Sequence, residues 1–212
     1  MLLRCAGTVC RAAIIGLHMT AEAPLRGILL AAGRGTRFGE DKLAHPMPDG
    51  LPIAVHAARN LRTAGLHVVA VVRDDDHHLA RVLKGEGCEV TVCPDAALGM
   101  GHSLAHGVKR TSGAGGWIVA LGDMPSIKPA TIRLVAQAVA SGAGIAAPEF
   151  RGERGHPVGF AARHYVDLTA LSGDAGARGV MRKHRAELVM IPSDDPGVVY
   201  DIDRKSDLQR PV

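Results

Sequence analysis

Short, unbroken aliphatic runs alternate along this chain with segments of helical periodicity, and that alternation constrains its fold more than any other feature. The runs fall at 27–32, 67–72, 89–93, 117–122, 144–147, 188–191 and 198–202. They are apolar throughout rather than at every second residue, as strands buried on both faces are. Helical patterns occupy 53–64, 77–83, 102–110, 129–141 and 163–171, and Asp76, Ser103 and Asp174 sit where N-caps are expected. Strands separated by helices of about ten residues predict a mostly parallel sheet covered on both sides. With 212 residues, 47% of them apolar, the chain has material for one packed domain. No repeat, low-complexity tract or linker divides it.

Composition excludes several partners. Aromatics make up only 3%, too few for a base-stacking platform, and the +4 charge is spread rather than gathered in a stripe. A nucleic-acid partner is therefore not expected, and a small anionic ligand suffices. Cys88 and Cys93 lie five apart around a strand and should point to opposite faces. Cys5, Cys10, Cys88 and Cys93 lack metal-knuckle spacing and read as reduced, inert thiols of a cytoplasmic protein. Residues 1–24 read as an extension outside a domain spanning 25–212. Arg11 interrupts their apolar patch, which is too short to span a bilayer.

In doubly covered sheets ligands bind beyond the carboxyl ends of the strands. The first such end carries "GILLAAGRGTRFGEDKL", residues 27–43. The Gly-Lys-Ser/Thr of a phosphate-binding P-loop is absent, and position 38 is Phe where a dinucleotide fingerprint has Gly. A loop remains whose glycine-flanked amides can approach phosphates, with Arg37 and Lys42 to neutralise a triphosphate. Asp123 closes the run "WIVALGD", a strand-end position suited to Mg²⁺. Asp201 and Asp203, in "VVYDIDRKSDL", offer a second carboxylate. The stretch "GMGHSLAHG", from Gly99 to Gly107, has amides (Gly101) and a hydroxyl (Ser103) that can read a base edge or a phosphate. In "RGERGHPVGF" and "GDAGAR", Arg151, Arg154, His156 and Arg178 suit a second anion.

"LLAAGRGTRFGEDKL" resembles the signature of the MobA-like nucleotidyltransferases, matching at Leu30 to Gly33, Arg37, Phe38, Gly39 and Lys42. The resemblance implies a single-domain, Rossmann-like, three-layer α/β/α nucleotidyltransferase (GT-A-like) fold. It implies that Leu30, Ala31, Ala32, Gly33 and Gly35 wrap a nucleoside triphosphate while Arg37 and Lys42 act on its phosphates. "GDMP" resembles the family's metal-binding strand end, which makes Asp123 a ligand of Mg²⁺. "DIDRKSDL" resembles its closing segment, with Asp203 in the metal position, Asp201 beside it, and Arg204-Lys205-Ser206 departing from the pattern.

Together "GMGHSL", "GDMP", "GHPVGF" and "GDAGAR" resemble the molybdenum cofactor cytidylyltransferase branch, over roughly residues 26–209. That branch transfers CMP from CTP to Mo-molybdopterin and releases pyrophosphate, making a cofactor for xanthine-dehydrogenase-type enzymes. His156 and Arg178 would then hold the acceptor, and a molybdoenzyme or its chaperone would be a further partner. A guanylyltransferase, a transferase to another phosphorylated acceptor, and a non-catalytic cofactor-binding chaperone are the alternatives.

Overall fold

The computed structural model describes residues 23–33, 35, 38–74 and 76–209. Residues 1–22 of the proposed extension at 1–24, and with them Cys5 and Cys10, lie outside the described residues, as does Arg37. An eight-stranded sheet runs through the molecule. Its first part is parallel: β3 (Glu89–Val92), β2 (His67–Val72), β1 (Leu25–Ala31) and β4 (Gly116–Leu121) lie side by side in that order. Next to β4 the direction reverses. β7 (Val158–Ala161) pairs antiparallel with β4 and with β5 (Ile145–Phe150), so β5 points the same way as β4. β5 also pairs with β8 (Leu188–Pro192) in parallel and with the two-residue β6 (Glu153–Arg154) antiparallel. Arg151 and Gly152 make the β5–β6 turn at φ 52° and 83°, the left-handed backbone of a tight hairpin.

Helices cover both faces, because each strand's successive side chains point to opposite sides. α1 (Ile53–Thr63), α2 (His77–Gly85) and α4 (Pro129–Ala140) share one core with Leu29, Val68, Ala70 and Ile118. α3 (Met100–Arg110), α5 (Tyr165–Thr169) and α6 (Arg178–Lys183) share the other with Ile28, Val69, Trp117 and Phe160. Cys88 belongs to the first core and Cys93 to the second, on opposite faces as expected. The expected three-layer α/β/α arrangement is present. No helix among the described residues is long and apolar enough to cross a membrane.

The sequence misleads in four places. Residues 198–202 are not a strand; Pro196–Val199 form a 3₁₀ turn capped by the Asp195 side chain, and the chain then continues outside any strand. Pro196 and Gly197 override the aliphatic run that follows them. Ser103 is not a cap, because α3 starts earlier at Met100, with Gly99 at φ 122° before it. Asp174 caps no helix, since α6 begins at Arg178 after Ala177. The predicted helix over 163–171 is a 3₁₀ turn at Ala162–His164 followed by the short α5.

Candidate active site

β1, β2 and β4 end on the same edge of the sheet, and the loops beyond them build one cleft. After β1 the backbone bends at Gly35 (φ +58°), where an added Cβ would lie 2.6 Å from the Cβ of Lys42. Glycine is therefore needed for both conformation and space. Phe38 donates its N–H to the Gly35 carbonyl at 2.8 Å and sinks its ring into a small core with Ile53 and Ile202. Arg73, just past β2, donates to the Gly33 carbonyl at 3.0 Å and pairs with Asp41, tying the loop to the next strand. These contacts thread Lys42 beneath the loop, only 7% exposed.

The carboxylates come from two segments far apart in sequence. Gly122 donates to the Leu30 carbonyl at 2.9 Å, continuing β4 by one residue and carrying Asp123 to the sheet edge. The Asp123 carbonyl then accepts the N–H of Ile202 at 2.9 Å. Ile202 is 2% exposed and packs on Phe38 and Ile53, so its neighbours Asp201 and Asp203 are set beside Asp123. Asp207 holds this segment in shape by accepting the N–H groups of Asp203 and Arg204 at 3.1 and 2.8 Å. Asp123, Asp201 and Asp203 can each offer an oxygen, all within 4.8 Å of one another.

Lys42 Nζ donates to Asp123 Oδ2 at 2.8 Å and to Asp203 Oδ1 at 3.0 Å. Burial works to lower the Lys42 pKa, but the charges and hydrogen bonds of Asp123 and Asp203 outweigh it and the net shift is upward. Lys42 is thus held as an ammonium and is no proton acceptor. Burial, then repulsion from Asp203 and Asp123, raises the pKa of Asp201. Asp123 Oδ1 is buried without a hydrogen-bond partner. Crowded carboxylates with an orphaned oxygen fit an oxygen-preferring divalent cation such as Mg²⁺.

A cavity of about 610 Å³ opens above these groups. Leu30, Ala32, Gly33, Gly35 and Lys42 form one wall, and Pro94, Ala96 and Ala97 of the 3₁₀ turn Pro94–Leu98 form the other, with Ser103, Arg73 and Asp123 between. Ala31 is fully buried in the core instead. Gly101 is covered: its N–H donates to the Gly173 carbonyl at 2.7 Å, and a Cβ there would lie 2.6 Å from the Ser172 carbonyl oxygen. The wall residues Pro94, Ala96 and Ala97 carry no chemical signature in the sequence beyond following the third strand.

A smaller cavity of about 160 Å³ adjoins the first, sharing Leu30, Met100, Leu121 and Asp174 with it. Its polar lining includes Arg154, His156 and Arg178. Burial, reinforced by Arg154, pushes the His156 pKa down to about 4. Arg154 is lowered by burial and then by Arg178. Arg154 Nη1 and His156 Nδ1 are buried with no hydrogen-bond partner. Two guanidiniums and a neutral imidazole around a small space are suited to an anion.

Known proteins resemble this chain in sequence and in fold. The model of the MobA-like NTP transferase domain matches residues 27–188. The purine catabolism protein PucB of Bacillus subtilis (strain 168) is 29% identical over 191 residues, covering 84% of this chain and 91% of PucB. The crystal structure of Rv0371c from Mycobacterium tuberculosis H37Rv superposes with a TM-score of 0.75 at 26% identity, covering 87% of this chain and 95% of the other. A manganese complex of Rv0371c superposes with a TM-score of 0.71 at 25% identity, over 87% and 95% of the two chains. By sequence match and by fold, the chain belongs to the MobA-like NTP transferase family.

Proposed function

We propose that this nucleotidyltransferase moves CMP from CTP, with Mg²⁺, onto the phosphate of Mo-molybdopterin. The observation that carries the reading is the adjacency of two unlike cavities, the larger of them lined by Asp123 of the carboxylate cluster. The larger, at about 610 Å³, is in the size range of small-molecule sites and is walled by the loop after β1. The smaller holds Arg154, His156 and Arg178, the groups an acceptor phosphate requires. The cytidylyl branch is favoured by the resemblance of "GMGHSL" and "GHPVGF", and by Ala31-Ala32-Gly33 where guanylyl relatives have Leu-Ala-Gly-Gly. PucB is by name a purine catabolism protein, and xanthine is a purine, which agrees with an acceptor destined for xanthine-dehydrogenase-type enzymes.

In this reading an acceptor phosphate oxygen attacks the α-phosphorus of CTP. A new P–O bond forms, the bond to the β-phosphate bridging oxygen breaks, and pyrophosphate leaves with that electron pair. Arg154 and Arg178 hold the acceptor phosphate, and His156 stays neutral to donate or accept one hydrogen bond. Lys42 keeps positive charge beside the reacting phosphates, with Arg37 assigned the same task by the family resemblance. Asp123 and Asp203, with Asp201 beside them, would hold the divalent cation. That cation supplies charge neutralisation and orientation of the phosphates. The protein's part is positioning and electrostatics rather than covalent chemistry.

The test measures pyrophosphate release with Mg²⁺ and CTP, GTP or ATP, with and without Mo-molybdopterin. Release is expected with CTP and the pterin together, and Asp123→Asn should lower it by about 10²–10³-fold. Turnover with GTP instead would move the protein to guanylyl transfer. No turnover with any triphosphate would favour a cofactor-binding chaperone.

A further inference from the structure

A second cluster of metal-ligating side chains lies at the opposite edge of the sheet. β7 runs antiparallel to β4 and Ala161 pairs with Gly116, so the turn after β7 sits at the start of β4. The cleft carboxylate Asp123 follows the end of that strand, about 20 Å away. Two short stretches of the same pattern meet here, His164-x-x-Asp167 and His184-x-x-Glu187. His164, Asp167 and His184 can each offer a ligand atom, all within 4.8 Å of one another. Glu187 closes the group, with Oε2 at 3.5 Å from His164 Nε2 and Oε1 at 3.2 Å from His184 Nδ1.

Ion pairs account for most of this cluster. Lys183 and His184 reach Asp167 at 2.7 and 2.6 Å, and Arg163 reaches Glu187 at 2.8 Å. His164 is the least well paired, its Nε2 reaching Glu187 Oε2 only at 3.5 Å. That side chain is 2% exposed, and its Nε2 is buried, makes no hydrogen bond and has the Glu187 carboxylate as its neighbour. A buried imidazole nitrogen left without a hydrogen bond is costly, and such atoms mark sites that a ligand completes. The two rings lie 4.6 Å apart at 64°, close enough for their nitrogens to converge with little movement. Lys183 and Arg163 are 63% and 52% exposed, so both can swing into solvent if a cation replaces them.

We propose that His164, Asp167 and His184, with Glu187 as fourth ligand, form a site for a late first-row divalent cation such as Zn²⁺. Two imidazoles with carboxylates select such ions over Mg²⁺, which prefers oxygen alone. Each imidazole binds through a nitrogen that carries no proton, so any proton on a ligating nitrogen is released as the cation binds. The site is a staple rather than a reaction centre. It clamps the turn after β7 to the end of α6, and Arg178 at the other end of that short helix lines the smaller cavity.

The test titrates Zn²⁺ into tag-free, chelator-stripped full chain against a chromophoric chelator, with Co²⁺ absorption as a second readout. The expected result is one equivalent bound at micromolar Kd or tighter, with the visible bands of tetrahedral Co²⁺. His184→Gln and Asp167→Asn should each weaken binding at least tenfold, whereas Asp123→Asn should leave it unchanged. His184 is a partly exposed side chain, so its variant should fold, and circular dichroism checks this. Absence of binding, binding unaltered in folded His184→Gln, or loss in Asp123→Asn alone would each overturn the proposal.

Discussion

Single residues at the cleft show how little space separates chemistry from packing. Gly35 is the tightest case, because any side chain there collides with Lys42 and must also adopt φ +58°. Gly35→Ala should therefore leave the fold cooperative but displace Lys42 from Asp123 and Asp203. The expected outcome is a fall in kcat of at least tenfold with stability reduced by about 1–2 kcal/mol, checked by steady-state kinetics and urea unfolding. A kcat within twofold of the parent would show that Lys42 need not sit between the carboxylates. Asp123 is legible from the sequence because it closes an aliphatic run, and Asp203 because "DIDRKSDL" resembles the family's closing segment. Pro94, Ala96 and Ala97 are not, since an apolar wall carries no chemical letter. The cluster at His164 and His184 is illegible for another reason: its two halves meet only after β7 and α6 have folded.

Among the elements, α4 depends on one buried carboxylate. Asp195 is 1% exposed and accepts the Lys128 N–H at 2.8 Å, the Thr131 hydroxyl at 2.8 Å and the Gly197 N–H at 3.1 Å. It caps α4 from outside the helix and shapes the 3₁₀ turn at Pro196–Val199. Asp195→Ala strands three donors and should destabilise the protein by about 2–4 kcal/mol in urea unfolding. A loss below about 0.5 kcal/mol would mean that water replaces the carboxylate. The strand over 198–202 expected from the sequence fails here because periodicity sees "GVVYDI" but not the acceptor that turns it. The start of α3 fails similarly, since Met-Gly-His reads as poor helix until the loop at Ser172–Gly173 packs on it. Periodicity also says nothing of strand direction, so the reversal at β7 is invisible in sequence although the layers are not.

At the scale of the whole molecule, stability should lean to the alkaline side of pH 5. Burial lowers the pKa values of His156, His164 and His106, and His156 falls from 6.5 to about 4. The unfolded chain therefore binds more protons than the native one between those values. Stability is full above about pH 6.5 and declines as the pH falls through the histidine range towards 4. His156 alone should account for about 2 kcal/mol by pH 5. Carboxylates held down by partners, such as Glu86 beside Arg59 and Asp167 beside Lys183, add their loss only below their ordinary range. Urea midpoints at pH 7 and 5, in chelator, should differ less in His156→Gln than in the parent; equal differences would place the effect elsewhere.

The bond from Ile202 to the Asp123 carbonyl also gives the molecule a timetable. A ribosome makes Asp123 some eighty residues before Asp203. Throughout that interval the nascent chain has the loop after β1 and one carboxylate, but not its counterpart. A chain stalled short of Ile202 lacks both the bond to Asp123 and the second carboxylate, so translation itself decides when the cluster can first close.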